Sequence, residues 1–283
     1  MKVYHKVADI QKYISYSRKD GKSIGFVPTM GALHEGHLSL LRACNTHSDI
    51  SVVSIFVNPT QFNDKNDLEK YPKTIENDLL ALLNEQCAVL FYPDVEEIYP
   101  SGTQLQQTYD LGVLETLFEG HYRPGHFQGV CQVVDRLFSI IHPNKVFFGQ
   151  KDYQQCMVIK KLIALQPAFS NIEMHIVPTV RGQSGLAMSS RNLRLSEDEK
   201  ALATTIYQSL LFIKQSIKPG GTDILTSRAK EQLEQKGFKV DYVAVAHAIT
   251  LEPVHHWDGK IPLVALIAAY LGNVRLIDNM ILS

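Results

Sequence analysis

Short apolar runs alternate with amphipathic segments along the first two thirds of the chain. The runs are typical of buried strands and stop at proline, glycine or polar clusters. They cover Ile24–Val27, Ser51–Val57, Ala88–Tyr92, Lys145–Phe148 and Ile172–Val180. Apolar side chains at three- and four-residue spacing predict helices at Val7–Lys19, from about Glu35, and at Ile75–Glu85, Gln128–Ile141 and Gln154–Leu165. This alternation predicts an α/β fold with a parallel sheet and helices on both faces.

The pattern changes after Gly182–Gly185, a glycine-bearing stretch that we interpret as a flexible joint. Ser196 and Glu199 form a capping-box pattern that opens a helix to about Ile217. One more helix and three strands are predicted beyond it: Thr222–Gln235, Val240–Ala246, Leu263–Ala269 and Arg275–Ile277. The sequence therefore predicts two domains, a parallel-sheet domain over residues 1–178 and a smaller α+β domain over residues 179–283.

Composition narrows the class of protein. The 283 residues are 45% hydrophobic and 20% charged, with a formal net charge of −1, as in a soluble globular protein without a broad basic field. The longest apolar run, Ile261–Leu271, is much shorter than the ~20 residues of a membrane-spanning helix. The N-terminus lacks a signal-peptide pattern, and the four cysteines are widely spaced. We expect free thiols, a cytoplasmic location, and no nucleic-acid or membrane partner.

The stretch from Ile24 to Arg42 carries the clearest chemical pattern. It reads as a strand, a turn broken at Pro28 and Gly31, and the first turn of a helix. Backbone N–H groups and the helix dipole at such a junction favour an anion. His34 and His37 lie three residues apart, and an imidazole can donate a hydrogen bond or carry positive charge near neutral pH. The stretch predicts a polyphosphate site, although a structural histidine pair in a loop is the ordinary alternative.

Three weaker patterns follow strand ends or precede the second domain. Lys151 and Asp152 could bind phosphate and ribose, or form a solvated turn. The loop of residues 185–192 could wrap phosphates with its serines, or be a plain linker. Three amides could orient a carboxylate or hydroxyl substrate, or be surface residues: Asn58, Gln61 and Gln155. Spacing alone gives no mechanism for Arg123–Phe127 or for Asp78.

Taken together, the motifs resemble a known family. His34-Glu35-Gly36-His37 fits the H-x-G-H signature of the nucleotidylyltransferase superfamily, and the preceding Pro28–Leu33 is similar to the pantothenate synthetase family. Further matching segments occur in the family's order: residues 54–62, 123–130, 148–155, 185–192 and 275–279. One position departs from the pattern, because Ser184 stands where the family usually has Asp before Gly-Leu-Ala. The resemblance covers nearly the whole chain and implies a Rossmann-like N-terminal domain with an α+β lid domain.

The resemblance also implies a reaction, with ATP as a substrate and Mg²⁺ as cofactor. (R)-Pantoate would attack the α-phosphate of ATP, giving pantoyl adenylate and pyrophosphate. The amine of beta-alanine would then release AMP and form pantothenate. A homodimer is also expected.

The resemblance assigns roles to individual positions of this chain. Catalysis would rest on His37, His34 and Lys151. ATP would contact Met30, Gly31, His34, His37, Gly149, Gln150, Lys151, Asp152, Val180, Met188, Ser189, Ser190 and Arg191. Pantoate and beta-alanine would contact Gln61, Gln155, Asn58, Val133 and Val134. Asp78 is the candidate Mg²⁺ ligand.

Two other functions remain open at the level of sequence. One is a different nucleotidylyltransferase, which would transfer AMP to a phosphate and stop there. Such a phosphate acceptor would call for cations where this chain has Asn58, Gln61 and Gln155. The other is a nucleotide-binding module without catalysis, which would bind ATP and form no AMP.

Overall fold

The computed structural model describes residues 1–62 and 68–282. Six strands form the larger sheet: β1 Lys2–Tyr4, β2 Ile24–Thr29, β3 Ile50–Ile55, β4 Val89–Phe91, β5 Lys145–Gly149 and β6 Glu173–Val177. Their order is β1-β4-β3-β2-β5-β6, and every neighbouring pair is parallel. The predicted Rossmann-like parallel sheet is therefore confirmed.

Helices cover both faces of this sheet, in keeping with the nearly continuous burial of the central strands β2 and β3. They are α1 Val7–Lys19, α2 Glu35–His47, α3 Ile75–Asn84, α4 Val95–Ile98, α5 Phe118–Tyr122, α6 His126–Ile141 and α7 Tyr153–Leu165. Ile10 of α1, Phe138 of α6 and Ile159 of α7 belong to the buried cluster on one face. Leu41 of α2 and Leu82 of α3 belong to the cluster on the other face.

The strand order reverses between β2 and β5. The chain passes from β2 through α2 to β3 on one side, and from β5 through α7 to β6 on the other. Ligands of open α/β sheets bind outside the carboxyl ends of the strands at such a switch point. Met30–His34 and Gln150–Asp152 emerge from these two strand ends.

The C-terminal part is the predicted α+β unit. Its elements are β7 Gly220–Gly221, β8 Lys239–His247, β9 His256–Trp257, β10 Leu263–Leu271 and β11 Val274–Ile281, with helices α8 Glu197–Ser216 and α9 Asp223–Gln235. An antiparallel sheet in the order β11-β10-β8 packs α8 and α9 on one face. Its other face joins the core of the larger sheet through residues such as Val264 and Leu266.

Several predicted boundaries are wrong, each for a local reason. The strand predicted as Ile172–Val180 ends at Val177, since Pro178 follows. Helix α6 begins at His126 rather than Gln128, because Gly125 takes a left-handed conformation at its N-terminus. Strand β11 is longer than predicted and includes two buried polar residues, Asp278 and Asn279.

The joint predicted at residues 182–185 is an ordered hairpin. Arg181 pairs with Ala187, the N–H of Gly182 donates to the carbonyl of Leu186 at 2.9 Å, and that of Met188 donates to Val180 at 3.0 Å. The boundary predicted at 178/179 falls just before this hairpin and stays a prediction. Within the described part of the chain, no helix is long and apolar enough to span a membrane.

Candidate active site

The loop after β2 is held in a strained shape by one buried carboxylate. Gly31 has φ +81° and Ala32 has φ +49°, so their amides turn inward. Asp78 accepts from the N–H of Ala32 at 2.9 Å, from that of Leu33 at 2.8 Å and from the Thr74 hydroxyl at 3.0 Å. Asp78 is 3% exposed, both of its oxygens accept hydrogen bonds, and these bonds shape the loop. Its assignment as a Mg²⁺ ligand stays a prediction, which this arrangement does not favour.

The two histidines follow this loop and lie against each other. Their rings stack with centroids 4.0 Å apart and planes inclined by 29°. The N–H of Gly36 donates to Nδ1 of His34 at 3.1 Å, and the N–H of His34 donates to Nδ1 of His37 at 3.3 Å. Because Nδ1 accepts in both rings, a neutral imidazole must carry its proton on Nε2. Each ring then presents an N–H donor at a position that lines the cleft.

The site keeps these imidazoles neutral. Burial and the nearby Lys151 ammonium lower the pKa of His34 to about 4, although Asp152 opposes the shift. Burial, His34 and Lys151 lower the pKa of His37 well below 6.5. Of the two possibilities that the sequence left open, these lowered pKa values favour neutral hydrogen-bond donors over charged rings, and the cation beside them is Lys151.

A steric constraint requires glycine at the third position of the H-x-G-H motif. A Cβ on Gly36 would lie 2.9 Å from Cε1 of His34 and 3.0 Å from its Nδ1. Any other residue would push the His34 ring out of the stack and weaken its bond to the Gly36 amide.

The second element at the switch point is the turn of residues 149–152 after β5. Lys151 and Asp152 line the cleft together with Gly149, and the Lys151 ammonium lies 3.5 Å from the Asp152 carboxylate. Asn279 fixes this turn from β11, because its amide donates to the carbonyls of Gln150 and Lys151 at 2.8 Å each. Gln150 is turned away from the described lining of the cleft and donates to Asn279 at 3.2 Å. Strand β11 of the C-terminal part therefore supports the turn that carries Lys151 directly.

The amides predicted to hold the acid substrate have unequal roles. The Asn58 oxygen accepts from Thr60 and, at 2.8 Å, from the Tyr99 hydroxyl. Its NH₂ group donates to the Gln61 side-chain oxygen at 3.2 Å and to the Gly129 carbonyl at 3.1 Å. Asn58 has no capacity left for substrate, and instead it turns the NH₂ group of Gln61 outward. That group lies 3.0 Å from Met30 Sδ.

Gln155 also lines the cleft, one helical turn beyond Lys151 as predicted. Val133 and Val134 of α6 form part of its apolar wall and are 6% and 4% exposed. Met30 and Val180 line it too, whereas Gly31 does not appear among its described lining residues.

The segment Arg123–Phe127, for which spacing gave no mechanism, supports Gln61. Nη1 of Arg123 donates to Nε2 of His126 at 3.0 Å. Nδ1 of His126 then donates to the Gln61 carbonyl at 2.8 Å. Burial, followed by the Arg123 charge, lowers the pKa of His126 to about 3, so this ring is neutral. Two sequence signals pointed here: the match of residues 123–130 to the family, and the Pro-Gly pair, which allows a helix to start at His126.

The serine loop of residues 185–192 packs against the loop after β2. The Ser190 hydroxyl donates to the Ala32 carbonyl at 3.1 Å, and the Ser189 hydroxyl accepts from the N–H of Arg191 at 3.3 Å. Both serines, Met188 and Arg191 line the cleft as predicted. The hairpin before them is fixed by Arg181, whose guanidinium makes 2.5 and 3.0 Å bonds to Asp278. Ser184 is exposed at its tip and makes none of these contacts.

This arrangement separates two chemistries within one cleft. Neutral N–H donors, an ammonium and hydroxyls gather at the switch point, where polyphosphate would lie. Amides and an apolar wall lie beyond them, suited to a small hydroxy acid. Within residues 1–62 and 68–282, no group of three or more His, Cys, Asp or Glu side chains could hold a metal ion.

Comparisons with known proteins agree with this geometry. The family model described as Pantoate-beta-alanine ligase matches residues 2–281. The chain is 44% identical over 287 residues to a pantothenate synthetase of Pseudomonas fluorescens, covering 100% of this chain and 98% of that one. It is 41% identical over 284 residues to one of Porphyromonas gingivalis, covering 99% of each chain.

Solved structures are similar over the same length. A pantothenate synthetase from Thermus thermophilus has a TM-score of 0.89 and 37% identity, covering 99% of each chain. A pantoate-beta-alanine ligase from Francisella tularensis, described as complexed with beta-gamma ATP and beta-alanine, has a TM-score of 0.82 and 36% identity. It covers 99% of this chain and 97% of that one.

Proposed function

The chain belongs to the pantoate–beta-alanine ligase family, and from this premise we propose that it condenses (R)-pantoate with beta-alanine at the expense of ATP. The products are pantothenate, AMP and pyrophosphate, and the intermediate is pantoyl adenylate. The observation that carries the proposal is the meeting of His34, His37 and Lys151 with two substrate-facing amides in one cleft. A site for phosphate alone would have no use for the amides and the apolar wall.

The first half-reaction is the attack of a pantoate carboxylate oxygen on the α-phosphorus. One oxygen–phosphorus bond forms, the bond to the bridging β-phosphate oxygen breaks, and pyrophosphate leaves with the electron pair. Negative charge accumulates on the α-phosphate and on the leaving oxygen. Preorganised donors at such positions are usually the largest catalytic effect. We assign the Nε2–H groups of His34 and His37 and the Lys151 ammonium to this role.

The part of the cleft lined by Gln61, Gln155, Val133 and Val134, here called the acid pocket, would orient the pantoate carboxylate without lowering its reactivity. The outward NH₂ group of Gln61 and the amide of Gln155 would bind the pantoate hydroxyls and carboxylate. A cation there would hold the carboxylate more tightly but lower its reactivity. Val133 and Val134 would receive the two methyl groups.

The second half-reaction needs water to be kept out. The amine of beta-alanine attacks the acyl carbon, AMP leaves with the acyl–phosphate oxygen, and the amine loses a proton. Water would compete for the same carbon. We propose that the C-terminal domain acts as a lid, with Ser190 tying the closing segment to Ala32.

Mg²⁺ is expected from the family, and the described residues do not offer it a protein cage. Asp78 is occupied, and Asp152 is the carboxylate closest to Lys151 in the cleft lining. Such a site fits a cation that arrives on the phosphates of ATP, because Mg²⁺ commonly uses only one or two protein carboxylates there. When bound, it would neutralise phosphate charge. The cytoplasmic location and homodimeric state stay predictions, for which fractionation and light scattering are the tests.

The experiment is an initial-rate assay of pyrophosphate and AMP with purified protein. We expect pyrophosphate release to require pantoate, and AMP release to require both pantoate and beta-alanine. AMP transfer to a phosphate acceptor would indicate another nucleotidylyltransferase, and ATP binding without AMP a module without catalysis. His37→Ala should slow adenylation by about 10²–10³-fold, the effect of losing one charge-stabilising donor. Near-normal pyrophosphate release from the folded variant would contradict the role of His37.

A further inference from the structure

A buried ionic cluster joins the two domains next to the cleft. Glu119 of α5 is 6% exposed, and its carboxylate accepts two bonds of 2.7 Å from the Arg275 guanidinium of β11. The Tyr242 hydroxyl of β8 donates to the same carboxylate at 2.9 Å. Nε of Arg275 donates to Asp241 at 2.8 Å. This is the most extensive ionic contact between the domains within the described residues.

The backbone around Glu119 leaves little freedom. A Cβ on the neighbouring Gly120 would lie 2.3 Å from the Glu115 carbonyl oxygen, so α5 is pressed against the preceding turn. The N–H of Glu119 donates to the Gln154 side chain at 3.0 Å, and that amide donates to the carbonyls of Leu114 and Leu117 at 2.9 Å each. The carboxylate is therefore a fixed point on which the C-terminal sheet docks.

The same carboxylate faces the acid pocket on its other side. Arg123 lies one turn later, with Nη1 at 3.9 Å from Glu119. That guanidinium donates to His126, and His126 donates to the Gln61 carbonyl. A short path of polar contacts thus runs from Arg275 of the C-terminal domain to the backbone of Gln61.

Charge balance makes Glu119 the central member of this path. Two carboxylates, Glu119 and Asp241, face two guanidiniums, Arg123 and Arg275. Burial alone would raise the pKa of Glu119, but its bonds to Arg275 and Tyr242 together with the charges of Arg275 and Arg123 lower it. Without this charge, Arg275 would lose two buried charge-assisted hydrogen bonds, and the attraction between Glu119 and Arg123 would be lost, which is costly at low dielectric. The orientation of Arg123, and with it that of His126, would then change.

We propose that Glu119 is a positioning residue that couples docking of the C-terminal domain to the orientation of Gln61, and hence to recognition of the acid substrate. The inference rests on the proposed function, since it takes Gln61 as a pantoate contact. Docking sets the Glu119–Arg275 pair, the pair holds Arg123, and Arg123 holds the ring that fixes the Gln61 carbonyl. The ATP end of the cleft is held by other contacts, such as those of Asp78 with the amides of Ala32 and Leu33, which lie within the N-terminal domain.

The test is Glu119→Gln, which keeps the shape of the side chain and removes its charge. We expect the KM for pantoate to rise about fivefold or more, within the usual coupling of contacting polar networks, and the KM for ATP to stay within about twofold. Glu97→Gln is the matched control, because Glu97 forms its ion pair with Lys6, both outside the described cleft lining. It should leave both constants unchanged.

A double-mutant cycle with Gln61→Ala shows whether the effect passes through Gln61. In that background Glu119→Gln should change the pantoate KM by less than about twofold. Equal rises in both KM values, or an undiminished effect in the Gln61→Ala background, would overturn the inference. If Glu119→Gln fails to fold, Tyr242→Phe is the second variant, because it removes one hydrogen bond from the same carboxylate. It should also raise the KM for pantoate but not that for ATP, by a smaller factor. A wild-type protein without pantoate-dependent pyrophosphate release would instead contradict the proposed function.

Discussion

The neutral state of His34 makes a prediction about stability as a function of pH. Its pKa falls from 6.5 to about 4 in the folded protein. Between these values the unfolded chain binds a proton that the folded protein does not, so this site makes folding less favourable as pH falls. At pH 7.5 the ring is neutral in both states and contributes no pH dependence.

The magnitude follows from the two pKa values. When the pH falls from 7.5 to 5, protonation of this one ring stabilises the unfolded state relative to the folded state by about 2 kcal/mol. The figure uses about 1.36 kcal/mol per pKa unit. His34→Gln removes the titration while keeping a side-chain oxygen that can accept from the N–H of Gly36. We therefore expect the variant to lose about 2 kcal/mol less stability than wild type over this interval.

Urea unfolding at pH 7.5, 6 and 5 measures this difference without any substrate. His256→Gln, at an exposed position on β9, is the control and should follow the wild-type slope. A His34→Gln variant whose stability falls in parallel with wild type would refute the reasoning. The ring would then be charged in the folded protein, and the assignment of Nε2–H as a neutral donor would be wrong.

Three further predictions concern catalysis. Lys151→Ala should slow adenylation by about 10²–10³-fold and affect the reaction of beta-alanine with supplied pantoyl adenylate much less, because pyrophosphate has left by then. Equal losses in the two half-reactions would count against this assignment. Gln155→Ala should raise the KM for pantoate, but not that for ATP, by the equivalent of about 1.5–3 kcal/mol, the worth of a hydrogen bond to a charged group. Paired titrations measure this, and a raised ATP KM alone would place Gln155 on the nucleotide. Ser184→Asp should change kcat by less than about twofold, as for an exposed surface substitution, and a larger change would mean that the hairpin tip takes part in closure.

The hydrophobic pattern of the sequence was sufficient to predict the order of its helices and strands. Apolar runs such as Ile24–Val27 cannot be buried singly, so a parallel sheet between two helical layers follows from the sequence. The capping box at Ser196 and Glu199 is local, and its two reciprocal bonds are present at 3.2 and 2.8 Å. The H-x-G-H pattern was informative for the same reason, since its geometry depends on contacts within four residues.

Tertiary structure alone decided which polar residues are available for substrate. Asn58 was a candidate ligand by residue type and Asp78 by resemblance to the family, yet both form hydrogen bonds with partners distant in the sequence. The charge state of His34 and His37 could not be predicted from the sequence either. It depends on burial and on Lys151, which follows a different strand.

The roles of Glu119, Arg275 and Asn279 have the same origin. Each acts across the domain boundary, on a partner more than a hundred residues away, as in the Glu119–Arg275 pair with its separation of 156. Sequence spacing describes neighbours along a helix or strand, whereas these contacts exist only once the sheet of β8, β10 and β11 has docked on the larger domain. Local patterns thus determined the elements and the turn that carries His34 and His37. Docking decided the charge state, the support and the orientation of the groups that would do the chemistry, because desolvation and pairing depend on everything packed around them.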